Sequence, residues 1–261
     1  MKAADLPIDY NMCDILEHNL EHRADKTALL SEHGTMTFRE VSNQVNQIGN
    51  ALTRLGVRFG ECVAILCPDR PEWVTTFFAT AKIGGVILGM NTLLTTEEYD
   101  YILKDARVRV LVIHDSLLEL VEPILRNHNI LSKVIVIGAD EVANYTTFND
   151  WIDSEDNKLE FERTHRDDFC SLHYSSGTTG MPKGVMHSHK DYPLIAQLSG
   201  VNLFGLTEND RTFSVAKLFF VYGIGGNLIF PWYVGASCVL YAGPPRQAAA
   251  VLKTIETFKP T

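Results

Sequence analysis

One stretch of the sequence combines glycine, hydroxyl side chains and a single lysine in a pattern suited to phosphate. It runs from Tyr174 to Gly184 and reads YSSGTTGMPKG. Glycine lets backbone N–H groups approach a ligand closely, hydroxyl groups donate hydrogen bonds to phosphate oxygens, and lysine supplies a positive point charge. The sequence therefore predicts a phosphate-binding loop with these contacts: Ser175, Ser176, Gly177, Thr178, Thr179, Gly180 and Lys183.

This loop differs from the P-loop of NTPases, which reads G-x-x-x-x-G-K-[ST] between a strand and a helix. Gly177 and Gly180 are three positions apart, and Gly184 rather than Ser or Thr follows Lys183. Residues 184–189, GVMHSH, alternate as a strand does, so we expect the loop at the tip of a β-hairpin. A hairpin offers no helix N-terminus to the phosphate. A P-loop NTPase, which releases orthophosphate, is therefore the least favoured function.

Strands and helices alternate along the chain before this loop. Apolar strands are predicted at 62–67, 85–91, 108–113, 133–138 and 169–174, and helices at 37–56, 71–84, 96–106 and 116–127. The first helix has Thr37 as its N-cap, Glu40 three residues later and Gly56 at its end. The strands are nearly continuous in apolar residues, which is typical of a parallel sheet covered by helices on both faces. An acidic connection with a short helix is expected at 139–168.

Composition excludes several other classes of protein. The formal net charge of −9 argues against a nucleic-acid partner, which requires a basic surface. The five cysteines are odd in number and contain no C-x-x-C pair, so a disulfide scaffold is not expected and a reducing cytoplasm is the simplest location. The first sixteen residues lack the long apolar core of a secretory signal.

Residues 218–245 contain no charged side chain and are long enough for a membrane span. Five glycines, Asn227 and Pro231 interrupt the stretch. We therefore predict a short helix, a turn and a buried strand at 237–241, with no membrane span.

The loop sequence YSSGTTGMPKGV resembles the phosphate-loop signature of the acyl-adenylate-forming superfamily, which includes acyl- and aryl-CoA ligases, luciferases and peptide-synthetase adenylation domains. Two further segments, NTLLT at 91–95 and FSVAKLFFVYGIGGNLIFPWYVGAS at 213–237, are similar to benzoate and hydroxybenzoate ligases. The resemblance covers essentially the whole chain. It implies an α/β fold of layered parallel sheets flanked by helices, as in the large N-terminal domain of an acyl-CoA synthetase.

By this resemblance, residues from about 60 to 190 form one sheet-centred half that carries the loop, and residues 10–59 and 200–261 begin a second half. The implied reaction uses ATP, Mg²⁺ and coenzyme A. A benzoate-like carboxylate attacks the α-phosphate, pyrophosphate leaves, and a thiol displaces AMP from the acyl-adenylate. Residues 175–183 would hold the outer phosphates, with Lys183 assisting as a charge.

The resemblance also implies an acyl pocket around Lys217–Gly223, with these substrate contacts: Phe220, Val221, Tyr222 and Gly223. Phe219 is expected in the core instead. Lys217 either meets an anion or is solvated. His187 and His189 share a strand face, yet no third ligand is suggested nearby, so we predict no metal site and a structural role for His189.

Several parts of the family pattern do not occur in residues 1–261. They are the aromatic-Gly-x-Thr-Glu motif whose Glu binds Mg²⁺, the ribose-binding Asp, the hinge, and the small C-terminal domain with its lysine. We therefore expect the chain to be an N-terminal fragment, with no catalytic residue within it, inactive alone but able to bind nucleotide weakly.

Two alternatives remain within the superfamily: a medium-chain acyl-CoA ligase and a stand-alone adenylation enzyme. An alternative of another class is a non-catalytic module that binds nucleotide phosphates. The sequence leaves the ring substituents and the oligomeric state open.

Overall fold

The structure, a computed structural model, describes residues 2–175 and 180–261. Two β-sheets and the helices around them form this part of the chain. The strands are β1 (Thr27–Ser31), β2 (Gly34–Thr37), β3 (Cys62–Leu66), β4 (Val86–Gly89), β5 (Val108–His114), β6 (Lys133–Ile137), β7 (Thr146–Thr147), β8 (Phe169–Ser175), β9 (Lys183–Ser188), β10 (Arg211–Phe213) and β11 (Ser237–Val239). The helices are α1 (Asp14–Glu17), α2 (Leu20–Arg23), α3 (Phe38–Arg54), α4 (Pro71–Lys82), α5 (Thr96–Asp105), α6 (Asp115–Leu125), α7 (Phe148–Ile152), α8 (Asp191–Ile195), α9 (Val221–Ile224), α10 (Phe230–Val234) and α11 (Ala248–Phe258).

The larger sheet has seven strands in the order β7-β6-β5-β3-β4-β8-β9. All neighbours in it run parallel except β8 and β9, which form the antiparallel hairpin expected from the sequence. The predicted parallel arrangement of 62–67, 85–91, 108–113 and 133–138 is thus confirmed. The short strand β7 was not predicted, because two threonines within an acidic connection carry no apolar periodicity.

Helices cover both faces of this sheet. Along β3, Val63 and Ile65 belong to one apolar core, with α3 and α4. Ala64 and Leu66 belong to a second core, with α5 and α6. Every residue of β3 is buried. Burial on both faces explains why these strands are apolar throughout instead of alternating.

Helix α3 begins where the sequence predicts. The Thr37 hydroxyl accepts the Glu40 N–H at 3.2 Å, and the Glu40 carboxylate accepts the Thr37 N–H at 2.7 Å, which completes the capping box. Gly56 follows the helix with φ of +80°, a conformation that glycine adopts without strain.

The smaller sheet has four strands in the order β10-β11-β1-β2 and combines residues 27–37 with residues 211–239. Its strands thus come from before and after the segment that forms the larger sheet. Helix α3 follows β2 directly but packs against α4 of the larger sheet. The division of the chain into two halves stays a prediction.

The apolar segment after Phe220 differs in detail from the prediction. It is helical from Val221 to Val234, with a π-helical turn at Gly225–Ile229, and strand β11 covers only Ser237–Val239. Pro231 has no N–H to donate, and the wider π-helical turn that precedes it lets the helix continue past this residue. The helix is therefore longer than predicted. No helix in residues 2–175 and 180–261 combines the length and apolar character needed to cross a bilayer.

Candidate functional site

The predicted phosphate loop connects the two strands of the β8–β9 hairpin. Ser175 lies opposite Lys183, and Tyr174 lies opposite Gly184. Ser175, Gly180 and Lys183 are exposed to solvent. Four predicted contacts lie outside the described residues: Ser176, Gly177, Thr178 and Thr179. A strand rather than a helix follows the loop, which excludes the P-loop arrangement; phosphate binding by these residues stays a prediction.

The base of the hairpin is fixed to the rest of the larger sheet. Tyr174 donates its hydroxyl hydrogen to the Asp105 carboxylate, at 2.5 Å, at the end of α5. A Cβ on Gly184 would lie 2.9 Å from Leu172 Cδ1, so the second strand passes close to the Leu172 side chain here. The contact between Tyr174 and Asp105 thus ties the base of the loop to α5.

A cavity of about 1070 Å³ lies between this hairpin and the helical segment from Val221 to Phe230. Its wall is mainly apolar and includes Met186, Phe213 and Phe230. Gly225 and Gly226 also line it, and a Cβ on Gly226 would meet no atom within 4 Å. A concave, largely apolar space with a few polar groups is typical of a small-molecule site.

Two of the four predicted substrate contacts line this cavity, namely Val221 and Tyr222. Tyr222 is 78% exposed, which places its ring at the cavity mouth. Phe220 lies outside the lining, with its ring 4.6 Å from that of Phe219. Gly223 is buried against the Lys217 carbonyl, where a Cβ would lie 2.1 Å from the oxygen. Substrate contact by any of the four stays a prediction.

The polar side of the cavity was not predicted. His173 on β8 and Tyr192 on α8 line it. His173 Nε2 is 3.2 Å from Ser171 Oγ and 3.3 Å from the Tyr192 hydroxyl, and those two oxygens are 2.6 Å apart. Burial lowers the pKa of His173 to about 4, and the nearby His187 adds to this effect. Sequence reasoning missed His173, because alternation along β8 does not reveal which helix packs against it.

His187 and His189 have different surroundings. The His187 ring centroid is 5.5 Å from that of His173 at the cavity wall. His189 is fully buried, and its Nδ1 accepts the Met12 N–H at 3.0 Å, which confirms the predicted structural role. In the described parts of the chain, no three His, Cys, Asp or Glu side chains are grouped as a metal site requires.

Lys217 is buried, so the solvated alternative is wrong. Its ammonium group donates to the Tyr241 carbonyl at 2.5 Å and lies 4.5 Å from the centroid of that ring. The carboxylate of Asp69 accepts the Leu218 N–H at 2.9 Å, which joins the loop after β3 to the segment that leads into α9. Burial raises the pKa of Asp69 to about 7, against the opposing charge of Lys217. Only a tertiary contact creates this environment, and sequence reasoning missed it.

Comparison with known proteins adds independent information. A family model described as "AMP-binding enzyme" matches residues 16–261. The chain is 38% identical over 250 residues to a benzoate–CoA ligase of Thauera aromatica, covering 95% of this chain and 47% of that protein. It is 34% identical over 255 residues to a 4-hydroxybenzoate–CoA/benzoate–CoA ligase of Rhodopseudomonas palustris, covering 97% of this chain and 47% of that protein.

Solved structures show the same fold. The crystal structure of an anthranilate CoA ligase in complex with anthranoyl-AMP matches with a TM-score of 0.99 and 59% identity, covering 100% of this chain and 50% of that one. A benzoate CoA ligase from Burkholderia xenovorans matches with a TM-score of 0.88 and 30% identity, covering 97% of this chain and 49% of that one. The chain thus spans about half the length of the curated relatives it matches.

Proposed function

Because this chain belongs to the AMP-binding enzyme family, we propose that the protein that carries it activates an aromatic carboxylate with ATP and transfers the acyl group to coenzyme A. The proposal rests on one observation: the apolar cavity lies next to the hairpin that carries the phosphate loop. A cavity with apolar and aromatic walls, Tyr222 among them, is also lined by Met186 and His187 of the hairpin strand that starts at Lys183. A carboxylate bound in this cavity would lie beside the hairpin that carries the phosphate loop.

The proposed reaction has two steps. A carboxylate oxygen bonds to the α-phosphorus of ATP as the bond from that phosphorus to the α–β bridging oxygen breaks, and pyrophosphate leaves. The thiol sulfur of coenzyme A then bonds to the acyl carbon, the carbon–oxygen bond to AMP breaks, and the thiol proton is lost to solvent. Both steps bring anions together, so a positive charge and preorganised donors lower the barrier.

The chain's own residues serve the first step. Lys183 and the hydroxyl of Ser175, opposite each other at the loop ends, would hold the outer phosphates while the bond to pyrophosphate breaks. Apolar walls exclude water from the acyl phosphate, which water would hydrolyse.

Exchange of labelled pyrophosphate into ATP, in the presence of benzoate or an aminobenzoate, tests the proposal. Lys183→Ala should raise the KM for ATP at least about tenfold, as loss of one charged hydrogen bond of about 1.5–3 kcal/mol implies. The matched control is Lys253→Ala, an exposed lysine on α11. Exchange that is independent of carboxylate, or equal in both variants, would contradict the proposed function.

A further inference from the structure

The segment that leads into α9 is held at two adjacent residues, one to each sheet. The Leu218 N–H donates to the Asp69 carboxylate at 2.9 Å, and Asp69 lies in the loop after β3 of the larger sheet. The Lys217 ammonium group donates to the Tyr241 carbonyl at 2.5 Å, and Tyr241 lies two residues after β11 of the smaller sheet. The segment is therefore anchored from both sides.

Both anchoring side chains are charged residues inside the protein. Asp69 is 1% exposed and Lys217 is 7% exposed. Burying such groups costs free energy, and apolar residues of similar size often give a fold that is at least as stable. What these two side chains supply, and apolar ones do not, is a directional hydrogen bond to a backbone group. Their chemistry therefore serves the position of the segment.

This position is passed on directly to α9. The Lys217 carbonyl accepts the Phe220 N–H at 3.0 Å, and a Cβ on Gly223 would lie 2.1 Å from the same oxygen. The start of α9 thus packs on the anchored peptide group. Val221 and Tyr222 of this helix line the cavity. A displacement of the anchored segment therefore displaces this wall of the cavity.

Lys217 also reaches the cavity wall by a second route. Its ammonium group lies 4.5 Å from the centroid of the Tyr241 ring, and that ring is 6.3 Å from the ring of Phe213. Phe213 lines the cavity from the smaller sheet, whereas Asp69 and Lys217 lie outside the lining. The two charged residues can therefore affect a bound molecule only through other residues.

We infer that Asp69 and Lys217 are positioning residues for the acyl site, which hold the segment before α9 so that Val221 and Tyr222 stand at the distance a bound aromatic ring requires. This inference rests on the proposed function and deepens it. A misplacement of about 1 Å in an active site can lower the rate about 100-fold, so two residues outside the cavity can control how well the carboxylate binds.

The test measures the KM for the aromatic carboxylate and the KM for ATP separately, by AMP formation in the protein that carries this chain. Asp69→Ala removes the acceptor of the Leu218 N–H, whereas Asp69→Asn keeps an oxygen for it. Lys217→Met keeps an unbranched side chain but removes the donor to the carbonyl. The matched control is Thr147→Ala, which removes the hydroxyl that accepts the Asp150 N–H at 3.2 Å, at the opposite edge of the larger sheet from the hairpin.

Asp69→Ala and Lys217→Met should each raise the KM for the carboxylate at least about tenfold and change the KM for ATP less than about threefold. Asp69→Asn should keep both constants within about threefold of wild type, because it keeps the contact. Thr147→Ala should lower the urea midpoint and leave both constants unchanged. This split separates positioning of the acyl wall from a general loss of structure, which would not act on one substrate alone.

Two results would overturn the inference: an unchanged carboxylate KM in Asp69→Ala or Lys217→Met, and equal rises in the two KM values. Impairment of Asp69→Asn to the level of Asp69→Ala would also overturn it, since the hydrogen bond to the backbone would then not be the cause. Urea unfolding at the assay temperature identifies a variant that does not fold, and the other anchor then carries the same test. Absence of activity with every aromatic acid in the wild type would instead overturn the proposed function.

Discussion

The buried carboxyl of Asp69, which joins the loop after β3 to the segment that leads into α9, allows a sharp prediction about stability and pH. Asp69 is 1% exposed, and its Oδ1 accepts the Leu218 N–H at 2.9 Å. Asp69→Asn keeps the shape of the side chain and an oxygen for this hydrogen bond, but it removes the titrating group. The substitution therefore isolates the effect of the charge from that of the contact.

The sign of the change in unfolding free energy with pH follows from proton linkage. The pKa of Asp69 is about 7 in the folded chain, against about 4 when unfolded, so the folded state binds more protons between those values. This carboxyl makes stability fall as pH rises from 4 to 7. Between pH 5 and pH 8, the loss that it causes in the free energy of unfolding is about 2–3 kcal/mol. The asparagine variant has no such loss.

The assay is urea unfolding at pH 5, 6, 7 and 8 for the wild type, Asp69→Asn and the exposed control Asp140→Asn. The change in unfolding free energy between pH 5 and pH 8 is compared between proteins, so the contributions of groups that do not interact with Asp69 cancel. Wild type and the control should share one pH dependence, and Asp69→Asn should be more stable at pH 8 relative to pH 5 by about 2–3 kcal/mol. Identical pH dependences for Asp69→Asn and the wild type would refute the reasoning.

Two further substitutions test the fold around the site, each by urea unfolding at pH 7. His189→Ala leaves the buried Met12 N–H without its acceptor and should cost about 1–3 kcal/mol, whereas the exposed His22→Ala should change stability by less than about 0.5 kcal/mol. Gly235→Ala places a Cβ at φ of +79° and should cost at least about 1 kcal/mol, while Gly226→Ala, with no atom within 4 Å of the added Cβ, should be neutral or stabilising. Equal effects within either pair would contradict the contacts described.

Local patterns were sufficient to predict much of the scaffold. The capping box at Thr37 and the apolar strands of the larger sheet depend on residues that are close together in sequence or periodic along it. The β8–β9 hairpin was predicted for the same reason, since its two strands flank one short loop. The resemblance to aryl-CoA ligases added the cavity wall at Val221 and Tyr222.

The polar features of the site depend on distant contacts, which no local pattern contains. Asp69 meets a backbone N–H that is 149 residues away in the chain. Lysine is usually a surface residue, and only the packing of Lys217 against Tyr241 shows that this side chain is buried. His173 becomes distinctive because α8 brings Tyr192 to its Nε2, while its buried Nδ1 has no hydrogen-bond partner among the described residues.

The central claim is that the protein carrying this chain converts an aromatic carboxylate to an adenylate. The most direct measurement supplies ATP, Mg²⁺, coenzyme A and a panel of benzoates, cinnamates and medium-chain fatty acids, and quantifies AMP, pyrophosphate and orthophosphate. The account predicts AMP and pyrophosphate in equal amounts, formed only with the carboxylate present and fastest with a benzoate. Release of orthophosphate, or a faster reaction with a medium-chain fatty acid than with any benzoate, would contradict it.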